Sequence, residues 1–250
     1  MTSQADLSTT ELKSRLAALM RQGHADERAF GETLTQEERE RAGTVDAWAP
    51  KEIIAHLAYW RECEAERAQA RAQGEGGPVY DDFLTMNTES FGDLVTHSWE
   101  RAIERSRQSV ETLITTVESL PDAALFGPAR PSAEPGVVRL LETIINNGYT
   151  HPEQHLAEMS AARGDAAGAA AIQRRLLDAI IALDAGPLVA ANARYNLACA
   201  LAATGPRAEV IALLRQSFAD NPRLIAWSRQ DSDLDPLRAD PEFQALTAEA

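Results

Sequence analysis

Apolar residues recur at intervals of three and four positions along most of the chain, and runs of alternating β-branched residues are absent. In the first segment, for example, Leu12, Leu16, Leu19 and Met20 fall on one face of a helix. A period of this kind buries one stripe of an α-helix, whereas a half-buried strand requires strict alternation. The chain is therefore predicted to be all-α.

Four long helices are predicted in the first part of the chain. In order, they run over about residues 8–34, from Pro50 to the glycines at 74–77, over 87–120, and over about 137–163. Pro50 suits the first turn of the second helix, and Pro121 ends the third. The connections are residues 74–84 and a proline-rich loop at 127–136. Helices of this length and spacing are typical of a four-helix bundle.

The composition changes at Gly164, where an alanine-rich stretch begins, and we place a domain boundary there. The predicted domains are residues 1–163 and 164–250. Residues 193–222 are predicted to form a helical hairpin with small residues at positions of close approach, preceded by a helix at 172–184. This hairpin resembles one tetratricopeptide (TPR) repeat. The C-terminal part is therefore predicted to be a small TPR-like helical domain.

Charge and composition restrict the function. The chain has 24 basic and 38 acidic residues and a net charge of −14, and an acidic surface repels the phosphate backbone of nucleic acids. No apolar run has the length of a membrane span or of a signal peptide. Cys63 and Cys199 form no CxxC pair, as is usual in a reduced compartment. We expect a cytoplasmic protein that binds neither nucleic acid nor membrane.

Three histidines suggest a metal site. His151 and His155 are four residues apart, so their imidazoles lie on one face of a helix. His56 lies in the helical segment that follows Pro50 and can supply a third nitrogen from a facing helix. Three imidazoles with an open fourth position are the ligand set of a catalytic zinc site. A buried, hydrogen-bonded His56 and a chance pair of histidines on an exposed helix are the simpler interpretations.

Several residues near these histidines are predicted to line a pocket at the end of the bundle. They are Tyr59, Trp60, Cys63, Asn147 and Tyr149. Asn147 or Glu52 is expected to orient an imidazole through its second nitrogen, as is common around bound metals. Cys63 is either a nucleophile or a metal ligand facing the pocket or, more simply, a small core residue. The residues do not identify a catalytic base.

Pro152 lies between the two paired histidines and cannot donate a backbone hydrogen bond. A kink or a new helix start is therefore expected beside Gly148, and a large kink would separate His151 from His155. The stretch HPEQH also lacks the glutamate that follows the first histidine in HExxH proteases. A metalloprotease is therefore a poor interpretation.

Three stretches together resemble a known family. They are TVDAWAPKEIIAHLAYWRE, DDFLTMNTESF and LLETIINNGYTHPEQHLAEM. In this order, with Trp48 before the second helix, the pattern HLxxW of His56 and Trp60 within it, and the pattern HxxxH of His151 and His155, they resemble the DinB/YfiT-like superfamily over about residues 8–163. The middle stretch is similar to its ClbS/DfsB-like branch. The resemblance implies a bundle with up-down-down-up topology and a divalent metal, zinc or nickel, held by His56, His151 and His155.

The same resemblance leaves several functions open. Some relatives are transferases or isomerases that use a low-molecular-weight thiol, and others are hydrolases. The resemblance therefore implies a metal-dependent hydrolase or thiol-dependent transferase acting on a small electrophile. The alternatives are a non-enzymatic binding or sequestering protein whose TPR-like segment contacts a protein partner, and a resistance protein that acts without metal. The resemblance also implies a homodimer. We favour metal binding because the histidine triad is complete.

Overall fold

The computed structural model describes residues 8–78, 80, 82–129 and 138–248. The regular secondary structure of these residues is helical, and their extended pairings are two isolated bridges, Thr44 with Ala47 and Pro128 with Arg139. The prediction of an all-α fold is confirmed. Most of the proline-rich loop predicted at 127–136 lies outside the described residues. In the described part of the chain, no helix combines the length and the apolar character needed to cross a membrane.

The chain divides into two compact units, residues 1–155 and residues 156–250. The first unit contains α1 (Thr9–Glu32), α2 (Gln36–Glu40), α3 (Pro50–Ala72), α4 (Phe83–Leu94), α5 (Trp99–Ser119), α6 (Asp122–Leu125), α7 (Leu140–Ile145) and a π-helical turn (Asn146–Thr150), and it ends within α8 (His151–Ala162). The domain boundary predicted after residue 163 stays a prediction.

The long helices of the first unit pack side by side as a helical bundle. Helix α3 lies against α5, α5 lies against α1, and the π turn contacts both α1 and α3. Local signals place the helix starts where the sequence predicts them. The side chain of Ser8 accepts a hydrogen bond from the backbone N–H of Glu11, and Pro50 occupies the first turn of α3. The side chains that fill the bundle are mainly leucine, isoleucine and alanine.

The third predicted helix, residues 87–120, is wrong in one respect, because the structure contains two helices there. Helix α4 ends at Leu94, and Ser98 caps α5 by accepting a hydrogen bond from the backbone N–H of Arg101. Leu94 and Ala102 nevertheless belong to the same buried cluster. The apolar period therefore continues across the break, and the pattern alone does not reveal it.

The fourth predicted helix is formed by α7, the π turn and α8 in succession. The kink or restart expected at Pro152 is replaced by the π turn. The backbone N–H of His151 donates to the carbonyl of Asn146, five residues earlier. A wider turn of this kind relieves the clash between a proline ring and the preceding turn of helix. His151 and His155 therefore lie in the same helical segment, α8.

The second unit is also helical. Beyond the end of α8 it contains α9 (Ala166–Leu183), α10 (Pro187–Leu201), α11 (Arg207–Asp220), α12 (Arg223–Ser228), a 3₁₀ turn (Ser232–Leu237) and α13 (Pro241–Thr247). Helix α10 packs against both α9 and α11. Helix α9 begins earlier than predicted because the side chain of Asp165 accepts from the backbone N–H of Gly168 and caps the alanine-rich stretch. The likeness to a TPR repeat stays a prediction.

Candidate metal centre

The structure brings the three predicted histidines together. The Nε2 atom of His151 lies 3.4 Å from Nε2 of His56 and 2.9 Å from Nε2 of His155. One ligand nitrogen from each residue falls within 4.8 Å of the others. His56 comes from α3, whereas His151 and His155 come from successive turns of α8. The triad therefore brings together two helices whose ligands His56 and His151 are 95 residues apart in sequence.

These separations suit a single metal ion. A tetrahedral zinc ion with bonds of about 2.0–2.1 Å holds its ligand nitrogens about 3.3 Å apart. The observed Nε2 separations of 3.4 and 2.9 Å lie close to this value. His56 is buried, whereas the side chains of His151 and His155 are each partly exposed. The donor set can therefore hold a metal and leave a position open.

The environment keeps two of the imidazoles neutral. Burial, together with the neighbouring His155, lowers the pKa of His56 to about 3. Burial is also the main reason that the pKa of His151 lies well below its usual value, with His155, His56 and Arg61 as additional causes. A neutral imidazole is the form that binds a metal ion. The centre is therefore ready to bind metal at neutral pH.

Aromatic rings surround the imidazole of His56. The ring of Trp48 lies edge-on at 4.8 Å between centroids, and Trp60 lies at 6.3 Å. Helix α4 adds two further rings, because Phe91 lies 5.4 Å from Trp48 and Phe83 lies 5.4 Å from Trp60. This packing holds the imidazole in place and makes its surroundings apolar.

The expected orienting partners bond elsewhere. The side chain of Asn147 donates to Glu64 over 2.8 Å, and Glu52 accepts from the backbone N–H groups of Gly43 and Ala49. The Nδ1 atoms of His56 and His151 have no hydrogen-bond partner among the described residues. The orientation of these two rings therefore depends on helix register and on the surrounding packing.

The predicted pocket residues occupy different environments. The Nε1–H of Trp60 donates to Asn87 over 3.1 Å, and the half-buried ring of Tyr59 lies 5.5 Å from that of Trp60. Cys63 is buried beside Trp60. Tyr149 is 3% exposed and lies against Gly23 of α1. Asn147, the fifth of these residues, donates to Glu64 as described above. That the five residues line a pocket stays a prediction.

Three buried charged residues of the first unit were not predicted from the sequence. Arg61 forms an ion pair with Glu27 of α1, and both side chains are at most 1% exposed. Glu64 is completely buried, and burial raises its pKa against the opposing effects of Arg67, Thr143 and Asn147. A signal was present, because Glu64 follows Trp60 by four residues and so continues the buried face of α3.

These features define the protein as an all-helical bundle with a three-histidine centre capable of binding a divalent metal. A sequence model of the DinB superfamily matches residues 12–159. That match covers more than half of the chain, and the chain therefore belongs to the DinB superfamily. No curated protein and no solved structure matches the chain. The ClbS/DfsB-like branch stays a prediction.

Proposed function

We propose that this protein binds one divalent metal ion, zinc or nickel, through His56, His151 and His155 and uses it to activate a nucleophile against a small electrophile. The convergence of the three Nε2 atoms is the observation that carries this proposal. Within the centre, His56 is the buried anchor, whereas His151 and His155 are partly exposed.

The metal would supply Lewis acidity, which lowers the pKa of a bound water or thiol toward neutrality. The chain's own residues contribute the remaining conditions. The neutral imidazoles offer their lone pairs without first losing a proton. The rings of Trp48 and Trp60 exclude water from the His56 side and so strengthen electrostatic interactions at the centre.

The nucleophile comes from outside the chain. Cys63 is the cysteine of the first unit, and burial raises its pKa above the usual value for a thiol. Its thiol is therefore protonated at neutral pH and a weak nucleophile. Water or a low-molecular-weight thiol is the appropriate nucleophile, which makes the protein a hydrolase or a thiol S-transferase. The aromatic surroundings favour an uncharged organic substrate of small size.

Metal content tests the binding half of this proposal. Tag-free protein is analysed by inductively coupled plasma mass spectrometry beside His155→Ala and the double variant His151→Ala/His155→Ala. We expect close to one zinc or nickel ion per native chain and almost none in the variants. His24→Gln is the matched control, because His24 lies on α1 outside the triad. Equal metal content in native protein and both triad variants would contradict the assignment.

Turnover tests the enzymatic half. The metal-loaded protein is incubated with a panel of small electrophiles, with and without an added low-molecular-weight thiol, and product is measured by mass spectrometry. We expect a metal-dependent product in the native protein and none in His155→Ala, whose helical content by circular dichroism is unchanged. Retention of metal without turnover across the panel would favour a binding or sequestering protein instead.

A further inference from the structure

Helix α7, the π turn and α8 form one continuous helical segment, and the residues by which it faces α3 are spaced at intervals of four. Thr143 and Asn147 both donate to Glu64, and His151 and His155 continue the series toward His56. Helix α3 therefore binds this segment at two levels, through a carboxylate at one level and through an imidazole at the other. Glu64 lies eight residues after His56, so the two levels are about two turns apart.

A regular α-helix would not keep these four residues in line. Over the twelve residues from Thr143 to His155, a regular helix advances about 100° per residue and leaves its ends about 120° apart around the axis. A π turn takes up one extra residue, so the same segment turns like eleven residues and this angle falls to about 20°. The π turn at Asn146–Thr150 is therefore the feature that allows one face to reach both Glu64 and His56.

The π turn is held from two sides. On the α3 side, Glu64 accepts from Thr143 over 2.7 Å, before the turn, and from Asn147 over 2.8 Å, inside it. On the α1 side, Gly148 packs on the side chain of Met20, where a Cβ atom would lie 2.7 Å from the methionine Cε. Glu64 is fully buried and also accepts from Arg67 over 2.7 Å. The carboxylate thus clamps the point at which the helix leaves its regular geometry.

We propose that Glu64 is a positioning residue for the metal centre, since its clamp on Thr143 and Asn147 sets the angle at which His151 and His155 face His56. This inference rests on the proposed function, because it concerns the same metal ion. Glu64 does not touch the metal ligands. It acts through the π turn, and loss of the clamp frees the angle between the parts of the segment on either side of the turn, while Pro152 still disfavours a regular helix.

The test compares Glu64→Gln with Glu52→Gln. Both glutamates are fully buried on α3, but Glu52 accepts its hydrogen bonds from Gly43 and Ala49, in the loop before the helix, whereas Glu64 accepts from the segment that contains the π turn. Zinc affinity is measured by competition with a chromophoric chelator, and the geometry of the centre is read from the visible bands of the Co²⁺-loaded protein. We expect Glu64→Gln to weaken zinc binding about 10- to 100-fold and to reduce the intensity of the tetrahedral Co²⁺ bands, because residues that orient metal ligands have effects of this size. Glu52→Gln is expected to keep both native values.

Two further variants separate positioning from folding. The double variant Glu64→Gln/Asn147→Asp moves the carboxylate to position 147 and the amide to position 64, so a hydrogen bond between the two side chains can form again. We expect this variant to recover most of the zinc affinity lost in Glu64→Gln. Thr143→Val removes one of the hydrogen bonds with little change in shape. If Glu64→Gln does not fold, zinc affinity and the Co²⁺ spectrum are measured on Thr143→Val instead. We expect this variant to bind zinc more weakly than the native protein and to have an altered Co²⁺ spectrum.

The outcomes distinguish this inference from the proposed function. If the native protein binds neither Zn²⁺ nor Co²⁺, the proposed function fails and this inference fails with it. If the native protein binds both ions and folded Glu64→Gln or Thr143→Val does so with native affinity and spectrum, the metal centre stands and the role of Glu64 is refuted. Equal losses in Glu64→Gln and Glu52→Gln would also refute it, because the effect would then come from burial of any glutamate on α3.

Discussion

At the scale of single residues, the first unit contains an ion pair that is almost completely shielded from water. The guanidinium of Arg61 donates to both carboxylate oxygens of Glu27, and the hydroxyl of Ser106 donates to the same carboxylate over 2.7 Å. Burial alone would raise the pKa of Glu27, but Arg61, His24 and Ser106 lower it to about 2. The carboxylate of Glu27 is therefore ionised in the folded protein at neutral pH.

This pair predicts how stability depends on pH. Because the pKa of Glu27 falls from 4.5 to about 2 on folding, its contribution is complete above pH 4.5 and is lost as the pH falls toward 2. This shift in the pKa of Glu27 contributes about 3 kcal/mol to the free energy of unfolding at neutral pH. In Glu27→Gln, Arg61 loses its buried counter-charge, which costs about 3–5 kcal/mol at neutral pH. We expect the difference in urea unfolding free energy between native and variant apoprotein to shrink between pH 5 and pH 3.

The matched control is Glu104→Gln. Glu104 pairs with Arg107 on the exposed face of α5, where solvent screens the interaction. Its replacement is expected to leave the unfolding free energy and its pH dependence close to native. A constant difference between native protein and Glu27→Gln from pH 7 to pH 3 would show that the carboxylate is not stabilised in the folded state.

At the same scale, the candidate site was only partly predictable. The spacing of His151 and His155 and the helical setting of His56 were enough to nominate the triad. The hydrogen bonds from Thr143 and Asn147 to Glu64 could not be predicted. Both residues are ordinary members of an apolar helix, and they are about 80 residues from Glu64 in sequence. A single sequence does not show which of its buried polar residues meet.

At the scale of helices, α1 and α5 approach closely at a glycine. A Cβ atom on Gly31 would lie 2.8 Å from Cζ2 of Trp99, and a rigid indole ring cannot yield as a flexible side chain can. The absence of a side chain at Gly31 therefore allows the end of α1 to pack on the start of α5. Gly92, in contrast, lies within α4, and a Cβ atom there would have no neighbour within 4 Å among the described residues.

This contrast predicts opposite effects of one substitution. Gly31→Ala is expected to lower the unfolding free energy by about 1–3 kcal/mol, because the added methyl group overpacks the contact with Trp99. Gly92→Ala is expected to raise it by up to about 1 kcal/mol, because alanine favours the helix and meets no obstacle. Urea unfolding followed by circular dichroism measures both. A change of stability in the same direction in both variants would show that Trp99 does not limit the size of the residue at position 31.

Helix boundaries show how far periodicity reaches. It predicts the starts of α1 and α3 almost to the residue, because Ser8 and Pro50 add local start signals to the apolar stripe, whereas both helices end before the predicted positions. It does not separate α4 from α5, since the break at residues 95–98 interrupts the backbone without interrupting the buried face. Pro152 signals a departure from regular helix, but the form of that departure, a π turn, depends on packing against α1 and α3.

At the scale of the whole molecule, the tryptophans are divided unequally between the two units. Trp48, Trp60 and Trp99 lie in the first unit, and Trp227 lies in the second. In a Trp227→Phe variant, all remaining indole fluorescence therefore comes from the unit that carries the histidine triad. Thermal unfolding of this unit can then be followed separately in the intact chain.

Metal binding should raise the stability of the first unit in that variant. A ligand present at about 100 times its dissociation constant adds about 2.7 kcal/mol to the folded state. For a unit of this size we expect the fluorescence Tm to rise by about 5–10 °C when EDTA-treated protein receives zinc. The same titration of a variant that also carries His151→Ala/His155→Ala should leave the Tm unchanged. An equal rise in both proteins would mean that zinc binds elsewhere.

Several predictions about the whole molecule stay predictions. They are the cytoplasmic location, the homodimer, a protein partner for the TPR-like segment, and the lack of affinity for nucleic acid. The net charge of −14 supports the last of these, because the surface repels phosphate groups. The other three depend on surfaces and on cellular context that charge and periodicity do not describe.

Local chemistry explains what could be read directly from the residues. Periodicity established the helical class, capping residues established where α1 and α3 begin, and the spacing of the histidines nominated a metal centre. Long-range packing decided the rest, namely the break between α4 and α5, the π turn, and the contact of Glu64 with Thr143 and Asn147. Short-range signals act within one helical turn, whereas these features arise where side chains distant in sequence compete for the same buried space.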